Sequence, residues 1–244
     1  MTSRFKSFNA DDCTLQPTRI DIWQYPLHTE YPGARALLSP DELTRTGRYH
    51  FAKHQRRFAV ARSTLRAILA RYSHVPARDL VFQLNQYGKP QLVNKPALHF
   101  NLSHSEEWAL LAIGYDYPLG VDLEFFSARP YEGIGHQMFS NTENRALLNT
   151  ANALKPLAFF HMWAQKEAFI KACGLGLSYP TQAFDVPALP STHQEIVDTL
   201  HNQTWQMVSF IPYIACCGAL CHHPDVTEIR YRVLNDTQLE GMAC

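Results

Sequence analysis

No apolar run in the 244 residues reaches membrane-spanning length. The opening MTSRFKSFNADD has no apolar secretory core, so a cytoplasmic location is expected, with no membrane contact. Excess charge of either sign is missing too: 22 Lys and Arg balance 22 Asp and Glu. That excludes a molecule built throughout to bind polyanions. With no leader to an oxidising compartment, the 6 cysteines read as reduced thiols and not as a disulfide framework. The marks of disorder are absent, since 46% of residues are hydrophobic and 18% charged. A chain of this length forms one large domain or two modest ones. No G-x-S-x-G nucleophile elbow occurs.

What is present centres on GVDLE, residues 120–124, and WAQKEAFIKACG, residues 163–174. In the first, Val121, Leu123 and Phe125 alternate with Asp122 and Glu124, the period of a half-buried strand with both carboxylates on one face. Adjacent carboxylates repel and are poorly tolerated without a cation between them. In the second, Trp163, Glu167 and Lys171 are spaced i, i+4, i+8 and share a helix face. If Glu167 turns towards the strand, three carboxylates and a lysine surround one point, and hard oxygen ligands in that number suit Mg²⁺ completed by waters and substrate phosphates. The plain alternative is a surface strand beside an ordinary ion-paired helix.

The strongest charge asymmetry lies nearer the start. Ser39-Pro40-Asp41-Glu42 reads as a helix start with a capping box. From Arg45 to Arg71 there are eight basic residues, Arg45, Arg48, Lys53, Arg56, Arg57, Arg62, Arg66 and Arg71, and no acid stands between Leu43 and Arg78. Phe58, Ala61, Leu65, Ile68, Leu69 and Tyr72 give them an amphipathic helix of some twenty residues. The choice is between a solvated face and a localised anionic partner, and the lack of local acids favours phosphate binding. RNA is the rival anion, but no aromatic-rich recognition motif accompanies the arginines, so no nucleic-acid partner is expected.

The remaining chain supplies the frame. Residues 1–18 are expected to be a loosely held extension, followed by a strand at 19–27. Residues 80–82 read as a strand, 86–90 as a Gly-Lys-Pro turn, 98–102 as a strand ending in Ser103-His104-Ser105, and 108–113 as a buried strand. Ser103 and His104 are read as phosphate holders, because sequence neighbours rarely pair as nucleophile and base. Residues 126–137 read as irregular. Ser140 and Glu143 form a second capping box before a helix over 144–149, and 155–173 read as a long apolar helix stopped by Gly174. Residues 205–210 and 213–220 look like a closing hairpin. Cys216, Cys217, Cys221, His222 and His223 lack a second cysteine pair, so small buried side chains are favoured over zinc. Strand, helices and strands thus occur twice, predicting two similar α+β halves, 19–117 and 118–244, with the site at their interface.

The ordered set QYGKP (86–90), FNLSHS (100–105), GVDLE and WAQKEAFIKACGLGLS (163–178), with Phe139-Ser140 and Glu143, resembles the surfactin-type 4′-phosphopantetheinyl transferases. The resemblance runs firmly from Ser39 to Ser178 and loosely over the C-terminal hairpin. It implies an α+β, pseudo-symmetric monomer of two halves, each a small, mostly antiparallel sheet with packed helices. Coenzyme A would lie in the cleft between them, and the second substrate would be an acyl or peptidyl carrier protein. By motif position, Asp122, Glu124 and Glu167 would bind Mg²⁺, with Asp122 and Lys171 also next to the pyrophosphate. Lys89, Pro90, Arg57, Ser103 and His104 would hold the coenzyme, Arg57, Ser103 and His104 near its 3′-phosphate. Arg45 falls on a basic position of the family, whereas Glu42 stands where some members carry a lysine.

The chemistry expected from that resemblance is attack of a carrier serine on the β-phosphate, with adenosine 3′,5′-bisphosphate leaving. Glu167 is the general-base candidate, ionised at neutral pH on its reference pKa of about 4.3, and Lys171 the positive donor. Two other readings are a coenzyme A-binding regulator without catalysis, which would not need the full acidic triad, and a basic RNA-binding protein, which would not explain it.

Overall fold

The computed structural model describes residues 5–7, 12–127, 131–190 and 193–241. Its strands, in chain order, are β1 (Lys6–Ser7), β2 (Arg19–Pro26), β3 (Phe82–Leu84), β4 (Pro90–Leu92), β5 (Leu98–Ser105), β6 (Trp108–Tyr115), β7 (Gly120–Phe125), β8 (Gln194–Asp198), β9 (Gln203–Phe210), β10 (Cys216–His222) and β11 (Glu228–Val233). The helices are α1 (Pro40–Gly47), α2 (Ala52–Ser73), α3 (Tyr131–Met138), α4 (Asn141–Asn149), α5 (Lys155–Cys173) and α6 (Asp236–Gly241).

Two sheets are packed between the two long helices. The first has the order β1-β11-β2-β6-β5 and the second β7-β10-β9-β8, with β3 and β4 forming a separate hairpin. Helix α2 sets Val60, Leu65, Ile68 and Leu69 against Trp23, Tyr25, Leu111 and Ile113 of the first sheet. Helix α5 sets Phe160, Ala164, Ala168 and Phe169 against Trp205, Met207, Cys217 and Ala219 of the second. A third apolar layer, with Ile20, Ile22, Leu110, Val121, Leu123 and Leu220, draws on both sheets. The strands alternate between layers, so β2 is buried along its whole length.

Local chemistry sets the helix starts. Ser39 Oγ accepts from the Glu42 amide while the Glu42 carboxylate accepts from the Ser39 amide, and Ser140 and Glu143 repeat the arrangement before α4. Gly174, with φ of 73°, ends α5 in the left-handed conformation that glycine adopts without strain. Gly120 starts β7 for another reason: a Cβ there would lie 2.1 Å from the Ala168 carbonyl oxygen, so helix α5 rests directly on the strand.

Several expectations are corrected. Residues 1–18 are not simply loose: β1 joins the first sheet, and Phe5 and Cys13 are buried, although 1–4 and 8–11 lie outside the described residues. The stretch read as irregular contains α3, with 128–130 outside the described residues. The strand expected at 80–82 lies two residues later, as β3. The second half also does not keep its strands to itself, because β11 runs parallel beside β2 in the first sheet. Asp21 holds that join. Fully buried, it accepts from Arg230 (2.6 and 2.8 Å) and from Tyr72 (2.5 Å). Alternation could not reveal this pairing, since β11 is separated from β2 by most of the chain.

Buried His161 on α5 gives a test of the second core. Its Nδ1 lies 3.1 Å from the Pro187 carbonyl oxygen, and its Nε2 is buried without a partner. Burial lowers the imidazole pKa to about 4, against a smaller opposing effect of the Pro187 carbonyl. The unfolded chain therefore binds a proton that the native state refuses, and stability falls as pH drops from about 6.5 towards 4. His161→Phe is expected to flatten this acid limb in thermal melts between pH 7 and pH 5. An equally steep loss in the variant would show that His161 is not its source.

Candidate active site

The edges of the two sheets meet where β5 faces β7, and side chains form the rungs. Asn101 Oδ1 accepts from the Val121 amide (2.8 Å), Ser103 Oγ from the Leu123 amide (3.3 Å) and Ser105 Oγ from the Phe125 amide (3.1 Å). The serine hydroxyls donate in turn, Ser103 to Asp122 Oδ1 (2.8 Å) and Ser105 to Glu124 Oε2 (3.3 Å). The motif's alternate polar residues therefore satisfy an open strand edge and orient both carboxylates. Asn101 and Ser105 were missed as site residues. The signal for them was an i, i+2, i+4 polar spacing interleaved with Phe100 and Leu102.

Helix α5 approaches from the other side with one face. Trp163 Nε1 donates to Glu124 Oε1 (3.1 Å), and Lys171 Nζ donates to Asp122 Oδ1 (2.5 Å) and Ser103 Oγ (3.2 Å). Glu167, one turn from each, makes no hydrogen bond among the described residues. Burial pushes its carboxyl up to about 7, Lys171 opposes the rise, and Asp122 and Glu124 add to it. Without a divalent cation beside it, Glu167 departs from the ionised state expected at neutral pH, because the reference value ignores desolvation and two neighbouring negative charges. Burial alone would lower Lys171, but Asp122, Glu167 and Glu124 outweigh it and hold the ammonium above the ordinary lysine value.

Asp122 is 3% exposed, and its Oδ2 is buried without a hydrogen-bond partner among the described residues. Among the described residues no three or more His, Cys, Asp or Glu side chains close into a metal cluster. The donor set nevertheless fits a hard divalent ion: it offers carboxylate oxygens only, Asp122 Oδ2 and Glu167 have no hydrogen-bond partner among the described residues, and hydroxyl, indole and ammonium groups hold Asp122 Oδ1 and both oxygens of Glu124.

The other expected residues separate into three places. His104, exposed at the end of β5, has its pKa lowered by desolvation first, then by the charges of Lys171 and Arg57, so those three lie in one electrostatic neighbourhood. Arg45 lines a surface cleft of about 620 Å³ with Asp41, Thr44, Arg48 and Tyr49. Lys89 is half-buried at the join of the halves, donating to the Leu119 and Ala172 carbonyls (2.9 and 3.3 Å). It places a cation at the C-terminus of α5, and desolvation lowers its pKa to about 8. With Pro90, Asn85, His99 and Cys173 it lines a cleft of about 480 Å³.

The basic helix is less open than its sequence promised. Arg62 and Arg66 pair with Glu42 (2.5 and 2.6 Å), while Arg56 and Arg57 pair with Glu107 (2.9 Å each). The acids come from outside the acid-free stretch. Glu42, 8% exposed, is therefore a structural counter-ion, which accounts for a carboxylate at that position. Cys216, Cys217 and Cys221 are fully buried in β10 and pack as apolar residues, with burial pushing Cys217 up to about 12.

The 4′-phosphopantetheinyl transferase superfamily model matches residues 118–214, and the model of a 4′-phosphopantetheinyl transferase N-terminal domain matches 22–115. The chain is 32% identical to the 4′-phosphopantetheinyl transferase HetI of Nostoc sp. over 216 residues, 85% of this chain and 89% of that protein. It is 32% identical to 4′-phosphopantetheinyl transferase Sfp of Bacillus subtilis over 208 residues, 82% and 90% of the two chains. A human L-aminoadipate-semialdehyde dehydrogenase-phosphopantetheinyl transferase is 27% identical over 183 residues, 68% and 57%. The chain belongs to the 4′-phosphopantetheinyl transferase superfamily and is an enzyme of that class, of the Sfp type. The α+β fold of two sheets with packed helices is that of the family.

Proposed function

We propose that the chain transfers 4′-phosphopantetheine from coenzyme A to a serine of an acyl or peptidyl carrier protein, using Mg²⁺ at Asp122, Glu124 and Glu167. The observation that carries the metal is the buried, unpartnered Oδ2 of Asp122 beside Glu124 and Glu167. When bound, the cation supplies neutralising charge at the pyrophosphate oxygens. The protein does the rest. Ser103 and Ser105 hold the carboxylates of Asp122 and Glu124, and Trp163 fixes the second oxygen of Glu124. Lys171, held by Asp122 and Ser103, donates to a phosphate oxygen of the reacting group. Glu167 removes the serine proton as the oxygen–phosphorus bond forms. The pyrophosphate bond breaks and adenosine 3′,5′-bisphosphate leaves. Arg57 and His104 bind the coenzyme's 3′-phosphate, with Ser103 nearby. Arg45, Lys89 and Pro90 contribute to the coenzyme site through their two clefts.

The reading includes a cytoplasmic monomer acting on carrier proteins, not on nucleic acid or membranes. Among the described residues no helix is long and apolar enough to cross a membrane. The test is mass spectrometry of apo carrier proteins incubated with the enzyme, coenzyme A and Mg²⁺. A phosphopantetheine-sized gain that disappears with EDTA and returns with Mg²⁺ is expected. Coenzyme A binding without any gain on fatty-acid, polyketide or peptide carriers would favour the non-catalytic regulator.

A further inference from the structure

The β5–β6 turn carries two consecutive acids, and they differ in how they are held. Glu107 is built in. Its carboxylate takes Arg56 Nη2 on both oxygens (2.9 and 3.0 Å) and Arg57 through Nε and Nη2 (3.1 and 2.9 Å), while its carbonyl accepts from the Leu27 amide (2.8 Å). Arg56 Nε is further tied to the Leu27 carbonyl (3.1 Å). Among the described residues, Glu106 is tethered by one interaction, from Arg57 Nη2 to its Oε2 (3.1 Å). Its side chain is 66% exposed, against 19% for Arg57. Its φ of 49° places a non-glycine residue in the left-handed region, at a modest backbone cost. The turn thus sets an exposed carboxylate against a part-buried Arg57 side chain that Glu107 already orients.

We propose that Glu106 is a displaceable occupant of Arg57, which a phosphate monoester of the coenzyme must evict, and that it thereby sets coenzyme affinity and the preference for the 3′-phosphate. The inference rests on the assignment of Arg57 to that phosphate. A phosphate monoester carries up to two charges and three acceptor oxygens, where the carboxylate has one charge and two. It can therefore replace Glu106 at Arg57 while Glu107 stays in place. A ligand without the phosphate cannot do so and leaves the Arg57–Glu106 pair intact. Glu106 is then a specificity residue acting through Arg57, with no part in the bond being made.

Isothermal titration of the full-length enzyme with coenzyme A and with 3′-dephospho-coenzyme A, at fixed ionic strength, tests this. Glu106→Gln is expected to tighten coenzyme A by about threefold, the scale of one exposed ion pair, and to leave the dephospho form unchanged. Glu106→Gly, which also relaxes the turn, should show the same selectivity. In the background of Arg57→Ala the gain should vanish. Equal shifts on both ligands, no shift on either, or weaker coenzyme A binding in Glu106→Gln would overturn the proposal. Arg57→Ala alone reads the underlying assignment: equal fractional losses on both ligands would remove Arg57 from the 3′-phosphate. A loss confined to coenzyme A, with no effect of Glu106→Gln, would remove only the displaceable carboxylate.

Discussion

Asp122→Asn is expected to lower kcat by about a hundred- to a thousandfold, the scale of removing one preorganised electrostatic group, and to raise the Mg²⁺ concentration needed for half-maximal rate. The side chain keeps its shape, so Ser103 can still donate to the amide oxygen. Two things change. The buried oxygen now without a partner becomes an NH₂ group, which repels a cation and cannot ligate it. Lys171 also loses its counter-charge at 2.5 Å and is freed to move. Thermal stability should change far less than turnover, because the surrounding rungs from Asn101 and Ser105 remain. Rates measured across a Mg²⁺ titration decide the matter. Full transfer at unchanged Mg²⁺ dependence would sink the metal assignment.

Glu167→Gln is expected to cut kcat by at least about a hundredfold, as for loss of a general base, with little change in KM for the carrier. Glu167 makes no hydrogen bond that the amide would break, and Trp163 and Lys171 are held by Glu124 and Asp122 without it. The loss therefore reports on proton removal or ligation and not on a collapsed helix face. Comparing the variant's Mg²⁺ titration with that of Asp122→Asn separates the two: a base leaves the half-maximal concentration in place, and a ligand moves it. If only the apparent affinity for the carrier changed, Glu167 would be neither.

Much of this centre was legible in the sequence because it is built from short-range periodicities. The alternation of Asp122 and Glu124, the i, i+4, i+8 spacing of Trp163, Glu167 and Lys171, and both capping boxes are local facts, and the structure has each of them. What could not be read is contact across the chain. Glu42, Glu106 and Glu107 neutralise arginines that look unopposed within their own stretch. Lys89 reads as the lysine of a Gly-Lys-Pro turn, and its side chain is directed to the carbonyls of Leu119 and Ala172, which the turn's sequence does not encode. The raised pKa of Glu167 depends on burial and on charges from another element, neither of which a spacing encodes.

The parallel strand β11 has a consequence for how the molecule is made. Its residues Glu228–Val233 register against Arg19–Gln24 of β2, so that edge of β2 stays unpaired until residues 228–233 have been synthesised. Through that interval Asp21 has Arg19 at 4.0 Å but neither Arg230 nor Arg232 beside it, and a buried carboxylate short of its cations is costly. The order of assembly therefore cannot follow the order of synthesis. Helix α2 and the β5–β6 hairpin are complete early, but the sheet that the hairpin belongs to and the helix covers is completed only by β11. A nascent chain stalled before residue 228 presents an open, apolar strand edge, the kind of surface on which chaperones act and unwanted strand pairing begins.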